Sequence, residues 1–326
     1  MPILFITNWY DHLAHNVFRM YKTIKDHGTP RAQKEVRLYI GPWREYEGIE
    51  GTDKGLWGDD KPLSAILIDW FDYWLKGIEN RFATDLPVYL HTLGRVEWRY
   101  EPSWPLPNTR FTKFYLSSKN GANSVRGDGR LTAELPRETK AYDEYIYDPA
   151  NPVPTRSGIV INPADKLRQN QIDVEKREDV LVFTSEPFEE DTEITGPVEA
   201  HIWASTSAVD TDFTVRLTDV HPDGTSYNLC EGIVRARFRY GVDKPALLCP
   251  GAIYEYRIEM SAVGMVFRKG HSVRLQVSSS NFPKHDRNMN TGNKVGVDAK
   301  GIVATQRIYH DAAHPSYVLL PLIEER

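Results

Sequence analysis

Ile3-Leu4-Phe5-Ile6-Thr7-Asn8-Trp9-Tyr10-Asp11 is the stretch from which the fold can be read. Four consecutive apolar residues read as a buried strand, and a carboxylate just past its carboxyl end stands where open α/β sheets place working residues. Leu13, Val17, Met20, Tyr21 and Ile24 then recur at helical spacing. Gly28 supplies a stop, with Lys25 and His27 in the last turn, where the helix dipole favours cations. Val36-Arg37-Leu38-Tyr39-Ile40 reads as a second strand and runs into Gly41-Pro42-Trp43. A strand–helix–strand unit of this length is a parallel crossover. A second helix is predicted from the stripe Leu63, Ile66, Leu67, Trp70, Phe71 and Trp74, between Pro62 and Gly77, with its tryptophans in the core.

Past Trp98 the period changes to two. Val198, Ala200, Ile202 and Ala204 alternate with polar residues, as do Phe213, Val215 and Leu217, then Tyr254, Tyr256, Ile258 and Met260, and Val273, Leu275 and Val277. Turn clusters such as Pro222-Asp223-Gly224 and Arg268-Lys269-Gly270 separate the runs. The expected fold is therefore mixed. A partial α/β domain of parallel strands and helices occupies residues 1–100, and an antiparallel β-sandwich or jelly roll occupies residues 101–326. Residues 136–175, rich in Pro, Asp and Asn, read as a long surface excursion. Two buried parallel strands alone would leave both sheet edges and an apolar face uncovered. Either a partner chain covers such an edge, or the sequence is the C-terminal part of a larger enzyme.

With 326 residues, 40% hydrophobic, 26% charged and a formal net charge of −5, the chain can build two cores. It gives no reason to expect nucleic acid or an anionic membrane as partner. No apolar run approaches the roughly 20 residues that span a bilayer, and no signal peptide is visible, so a cytoplasmic location is expected. Cys230 and Cys249 are the only cysteines, which argues against a disulfide framework. No cofactor is expected.

A serine hydrolase needs a nucleophile on a strained turn, a base within reach and an acid to orient the base. The sequence contains no Gly-x-Ser-x-Gly. Ser278, Ser279 and Ser280 are expected to satisfy cross-strand hydrogen bonds. The loop after the second strand, where a triad base belongs, reads Gly41-Pro42-Trp43-Arg44-Glu45-Tyr46, without histidine. Arg44 stays protonated, and Glu45 accepts a proton only if burial raises its pKa. His12 and His15 read as a polar helix face. Neither they nor His310-Asp311 with His314 match a metal-ligand pattern. Asp210-Thr211-Asp212 reads as a strand-entry turn before it reads as calcium oxygens. Trp203, Tyr227, Tyr240 and Tyr254 are expected to pack, the competing reading being a sugar platform.

Thr184-Ser185-Glu186-Pro187, Thr195-Gly196-Pro197-Val198, Asp210-Thr211-Asp212-Phe213-Thr214 and Glu231-Gly232-Ile233-Val234-Arg235-Ala236-Arg237 are followed by Ser278-Ser279-Ser280-Asn281-Phe282-Pro283, Asp286-Arg287-Asn288 and Asn290-Thr291-Gly292. In this order they resemble the C-terminal jelly-roll domain, of galactose-binding-like type, of the X-Pro dipeptidyl-peptidase and cocaine esterase family of serine hydrolases. Asn8-Trp9-Tyr10-Asp11, Gly41-Pro42-Trp43 and Phe71-Asp72-Tyr73-Trp74-Leu75-Lys76-Gly77 resemble the last segments of that family's catalytic domain. The resemblance implies that Asp11 matches the triad acid and that Glu45 stands where the family's histidine falls. It also implies that the serine, its oxyanion hole and the helical cap lie N-terminal to Met1. The expectation is a hydrolase-family chain that does not hydrolyse alone, with a small ester, amide or peptide substrate if completed. The alternatives are a non-catalytic carbohydrate- or protein-binding sandwich, and one half of a split serine hydrolase completed by another chain.

Overall fold

A computed structural model describes residues 1–42, 56–57, 61–95, 97–156 and 168–324. The first unit is built from β1 (Ile3–Asn8), α1 (Ala14–His27), α2 (Pro30–Glu35), β2 (Val36–Gly41), the short pair β3 (Leu56–Trp57) and β4 (Lys61–Pro62), α3 (Leu63–Lys76), α4 (Arg81–Thr84), β5 (Val88–Thr92) and β6 (Glu97–Glu101). Its sheet runs β1-β2-β5-β6, with β1, β2 and β5 parallel and β6 antiparallel. The near-continuous burial of β2 and β5 is what a parallel sheet covered on both faces requires.

Both predicted helices form, with apolar faces rotated from the expected stripes. In α1 the buried residues are Ala14, Phe18 and Tyr21, while Leu13 and Met20 are exposed. The reason is that α1 lies between the sheet and a strand of the second unit and buries what faces both. Gly28 follows the last residue of α1 in an extended conformation, and Thr29 begins α2 by accepting the Ala32 N–H at 3.3 Å. In α3, Ile66 and Trp70 enter a cluster with Tyr39, Phe82 and Tyr89, and Phe71 points outward. Gly77, at φ +69°, closes α3 in the left-handed region that favours glycine.

The second unit holds β7 (Thr109–Ser117), β8 (Arg130–Thr132), β9 (Tyr142–Tyr147), α5 (Ile172–Glu175), β10 (Leu181–Thr184), β11 (Thr192–Thr206), β12 (Asp212–Val220), β13 (Ser226–Arg235), β14 (Tyr254–Phe267), β15 (Ser272–Ser278), β16 (Ala304–Tyr309) and β17 (Tyr317–Ile323). The 15-residue β11 pairs with β14 along one edge. Along the other it pairs with β17 and then β16, so one strand organises half the domain. Among the described residues the order β13-β12-β15-β10 continues through β8 and β7 to β17 and β11 in the same sheet, and the Phe213 ring of β12 meets Tyr256 of β14 at 4.7 Å. Val198, Ala200, Ile202 and Ala204 are buried as their alternation predicts.

The region 136–175 is more than a surface excursion. β9 pairs with β16 and buries Tyr145 and Tyr147, while Val153 and Val174 join a small core with Val180 and Val182. α5 lies over the outer face of β12 and β15, so all nine residues of β12 are buried, polar ones included. Glu175 accepts from Ser226 Oγ at 2.7 Å, Gln276 Nε2 at 2.8 Å and Arg274 Nη1 at 2.5 Å. The Arg216 guanidinium reaches Glu231 at 2.9 Å, Gln171 at 2.9 Å and Asn281 at 3.0 Å. Burial raises the Glu231 carboxyl pKa, but Arg216 and Lys284 overcome that and hold it well below the usual range.

The two units interlock. Leu93 N donates to Gly264 O and Val266 N to Leu93 O, both at 2.9 Å, which continues β5 as a parallel bridge onto β14. A Cβ at Gly264 would run into the Trp9 indole. Arg99 of β6 bonds Glu193 of β11 and, at 2.9 Å, Glu101. Trp9→Ala removes the largest buried side chain at this joint. Its expected cost is on the order of 3–5 kcal/mol in urea unfolding, and a cost under about 1 kcal/mol would show that the joint carries no stability.

Candidate functional site

Because Asn8 pairs with Gly41 in parallel register, the carboxyl ends of β1 and β2 leave the sheet side by side. Asp11 stands three residues past β1 at this edge. Its turn is fixed locally: Tyr10 N donates to Asn8 Oδ1 at 3.1 Å, Asp11 N to Asn8 O at 3.2 Å, and Ala14 N to Asp11 O at 3.1 Å. One carboxylate oxygen, Oδ1, accepts Leu13 N at 2.7 Å and so satisfies one of the free N–H groups at the start of α1. Among the described residues, Oδ2 accepts no hydrogen bond. The side chain is 22% exposed, so a carboxylate oxygen remains available beside the end of β2.

The two residues before Asp11 act as anchors. Trp9 Nε1 donates to His91 O at 2.8 Å, and the indole packs with Phe18 and Trp104 at 6.1 and 6.0 Å. Tyr10 is buried, its Oη donating to Asn228 O of β13 at 3.2 Å, and burial raises its phenol well above the usual range. Trp9 thereby ties the loop bearing Asp11 to β5, and Tyr10 ties it to β13 of the second unit.

The neighbouring histidines do not converge on Asp11. His12 Nδ1 stays 3.6 Å from Oδ1 on an exposed ring, beyond the reach of a working base. His15 turns to Glu259 of β14 at 3.1 Å. Glu45 and the adjoining Trp43 and Arg44 lie outside the described residues.

Elsewhere the predicted candidates have structural partners. Ser278 Oγ bonds Thr214 Oγ1 at 2.6 Å, Ser279 Oγ bonds Tyr145 Oη at 2.8 Å, and Ser280 Oγ accepts Val153 N at 2.8 Å. Asp210 and Asp212 take Arg237 at 2.8 Å and Arg235 at 2.9 Å, with Asn288 bridging them, so cationic and amide donors fill the place of a calcium ion. Asp311 binds its own turn through Ala313 N and His314 N. Trp203 packs edge-on to His314, Tyr227 against His221, and Arg239 lies over both Tyr240 and Tyr254, so these rings already have partners.

Sequence reasoning missed Ser118, Asp143 and His310, which meet in space. Ser118 Oγ lies 3.3 Å from His310 Nε2 and 2.9 Å from Asp143 Oδ1, and Asp143 Oδ2 lies 3.1 Å from the same Nε2. A triad needs the acid on one ring nitrogen and the serine on the other. Here both share Nε2, the serine bonds the acid directly, and Ala122 N occupies Asp143 Oδ1 at 2.9 Å. The trio is a structural brace.

Over residues 75–319 the sequence matches the family described as the X-Pro dipeptidyl-peptidase C-terminal non-catalytic domain. It is 38% identical over 332 aligned residues to the cocaine esterase of Rhodococcus sp. (strain MB1 Bresler), an alignment that covers 99% of this chain and 56% of that protein. The chain belongs to the X-Pro dipeptidyl-peptidase/cocaine esterase family. Two solved structures superpose on 99% of it. One is an aminopeptidase from the marine sediment archaeon Thaumarchaeota archaeon, with TM-score 0.85, 27% identity and 55% of that chain covered. The other is an α-amino-acid ester hydrolase, with TM-score 0.80, 26% identity and 55% covered. The chain thus spans about half the length of the family members it matches.

His91, beneath Trp9, is 1% exposed, and among the described residues neither ring nitrogen has a partner. Burial pushes its imidazole from 6.5 down to about 4. The unfolded chain takes up this proton near 6.5, so the stability tied to a neutral His91 is complete above about pH 6.5 and lost as pH falls toward about 4. At about 1.4 kcal/mol per tenfold difference, the full loss is roughly 3 kcal/mol. Unfolding free energies from urea titration should fall by that amount between about pH 7 and about pH 4, and His91→Leu should flatten the decline. An unchanged slope in the variant would assign the acid sensitivity to other groups.

Proposed function

We propose that this chain is the acid-bearing, C-terminal portion of a serine hydrolase of the X-Pro dipeptidyl-peptidase/acyl esterase type. Its second unit is a galactose-binding-like jelly roll that walls the substrate cleft. The observation that carries the reading is Asp11. It is a carboxylate at the carboxyl end of a parallel strand, locked in place by Asn8, Trp9 and Tyr10, with one oxygen left for a partner. In this reading Asp11 is the triad acid and Glu45 occupies the place of the triad base. The substrate is a small ester, amide or peptide, attacked through an acyl-enzyme. Support comes from the family membership and from the alignment with an esterase and an aminopeptidase over nearly the whole chain.

The 326 residues contain no Gly-x-Ser-x-Gly, and Arg44-Glu45 follow Gly-Pro-Trp. Without nucleophile and base, a carboxylate alone does not build the acyl-transfer machinery. Turnover of p-nitrophenyl acyl esters and X-Pro-p-nitroanilides by the chain alone is therefore expected at background, with Asp11→Asn indistinguishable from wild type. Turnover by the chain that Asp11→Asn abolishes would overturn the claim that the chain is inert alone.

A split enzyme is the second reading, and the open edge of the first sheet favours it. Among the described residues β1 pairs only with β2. On α3, Ile68, Phe71 and Leu75 present an exposed apolar row at helical spacing. A serine-bearing chain that adds a strand to β1 and covers this row would complete the domain. Co-expression with a half that supplies both the serine and the missing base should then yield hydrolysis, and Asp11→Asn should lower kcat, on the order of 10⁴-fold where that base is a histidine. A chain that sediments as a stable monomer in the presence of that half counts against this reading.

A further inference from the structure

We infer that Asp219, His221 and His271 form a binding site for a divalent transition-metal ion, of the zinc, cobalt or nickel class, on the outer end of the second unit.

The pairing of β12 with β15 brings the three residues together. Asp219 faces Val273 and Val220 faces Ser272 in antiparallel register. Continuing that register by one step sets His221 opposite His271, and Asp219, two residues before His221, shares its face. The hairpin after β12 holds His221 through its N–H to Thr225 O at 2.8 Å, and His271 N donates to Arg268 O at 2.9 Å. Both imidazoles therefore sit on pinned backbone.

The donor geometry fits one ion. His221 Nε2 lies 3.2 Å from Asp219 Oδ2, His271 Nδ1 lies 2.8 Å from Asp219 Oδ1, and one ligand atom from each residue falls within 4.8 Å of the others. Two donors bound to the same ion at about 2.1 Å sit roughly 3–3.4 Å apart, so small side-chain shifts suffice. The two rings face each other at 4.3 Å, with both named nitrogens turned to the carboxylate. Two imidazoles and one carboxylate suit zinc, nickel and copper, and lack the oxygens that calcium or magnesium require. Asp219 is fully buried, while the His221 side chain is 32% exposed, which leaves an open side for water or an exogenous ligand.

The surroundings set the strength. Arg168 Nη2 also bonds Asp219 Oδ2, at 3.1 Å, with its guanidinium over the Tyr227 ring at 4.9 Å. It orients the carboxylate as outer partners of metal ligands do, and its charge opposes the ion, so the affinity expected is modest. A bound ion would tie the β12–β13 hairpin to the start of β15.

Calorimetric titration of the full 326-residue chain with ZnCl₂, and the visible absorption of added Co(II), test the site. Saturable binding of one ion per chain is expected, with a rise in thermal midpoint on zinc addition. His221→Gln and His271→Gln should each weaken binding at least tenfold, while His15→Gln leaves it unchanged. His221 lies on an exposed turn, so that variant should keep the fold, as circular dichroism can verify. Absence of saturable binding in the wild type, or wild-type affinity in either site variant, overturns the inference.

Discussion

A pair of backbone hydrogen bonds at Leu93, one to Gly264 and one from Val266, joins a parallel α/β sheet to an antiparallel strand of the neighbouring unit. The arrangement of the rest follows from that joint. It requires β14 to pass close enough for Trp9 to lie flat on a residue without a side chain, which is why Gly264 stands there. It also fixes Trp9, and with it the turn that ends in Asp11, from the far side of the sheet. Tyr10 and Arg99 add polar ties across the same boundary. The position of the candidate acid is therefore a property of both units together, and a change in β14 is felt at the carboxyl end of β1.

The second unit has a parallel constraint of its own. Its outer face on β12 and β15 carries Arg216, Arg274 and Gln276, all buried. Burying charges costs several kcal/mol each unless they are paired and hydrogen-bonded. Here Glu231 and Glu175 supply the pairing, and Gln171 and Asn281 complete the shell. Such a network specifies one register for the segment that covers it. At the end of β12, Asp219 is shared between two imidazoles and a guanidinium.

Much of the fold was legible in the sequence because hydrophobic period is local information. Ile3–Ile6 and Val36–Ile40 read as strands from their apolar runs, and Val198–Ala204 from strict alternation. The register of α1 was not legible, because its buried face is chosen by β14, which lies more than 200 positions later. Nor was the burial of Tyr145, Tyr147, Val153 and Val174. Pro, Asp and Asn signal turns, but the strand pairing of Tyr145 and Tyr147 with β16 is non-local. Of the candidate site, Asp11 could be read from its place after a strand, and the absence of histidine after Gly41-Pro42-Trp43 from the sequence itself. The meeting of Ser118, Asp143 and His310 could not, since cross-strand partners carry no mark in single-sequence spacing.

The central claim is that the two units form one cooperative body through the Leu93 bridge. Native-state hydrogen exchange at the Leu93 and Val266 amides tests it most directly. The account predicts that both exchange only with global unfolding, at the same free energy as the core amides of β11. Exchange of these two amides through an opening of markedly lower free energy, while β11 stays protected, would contradict it.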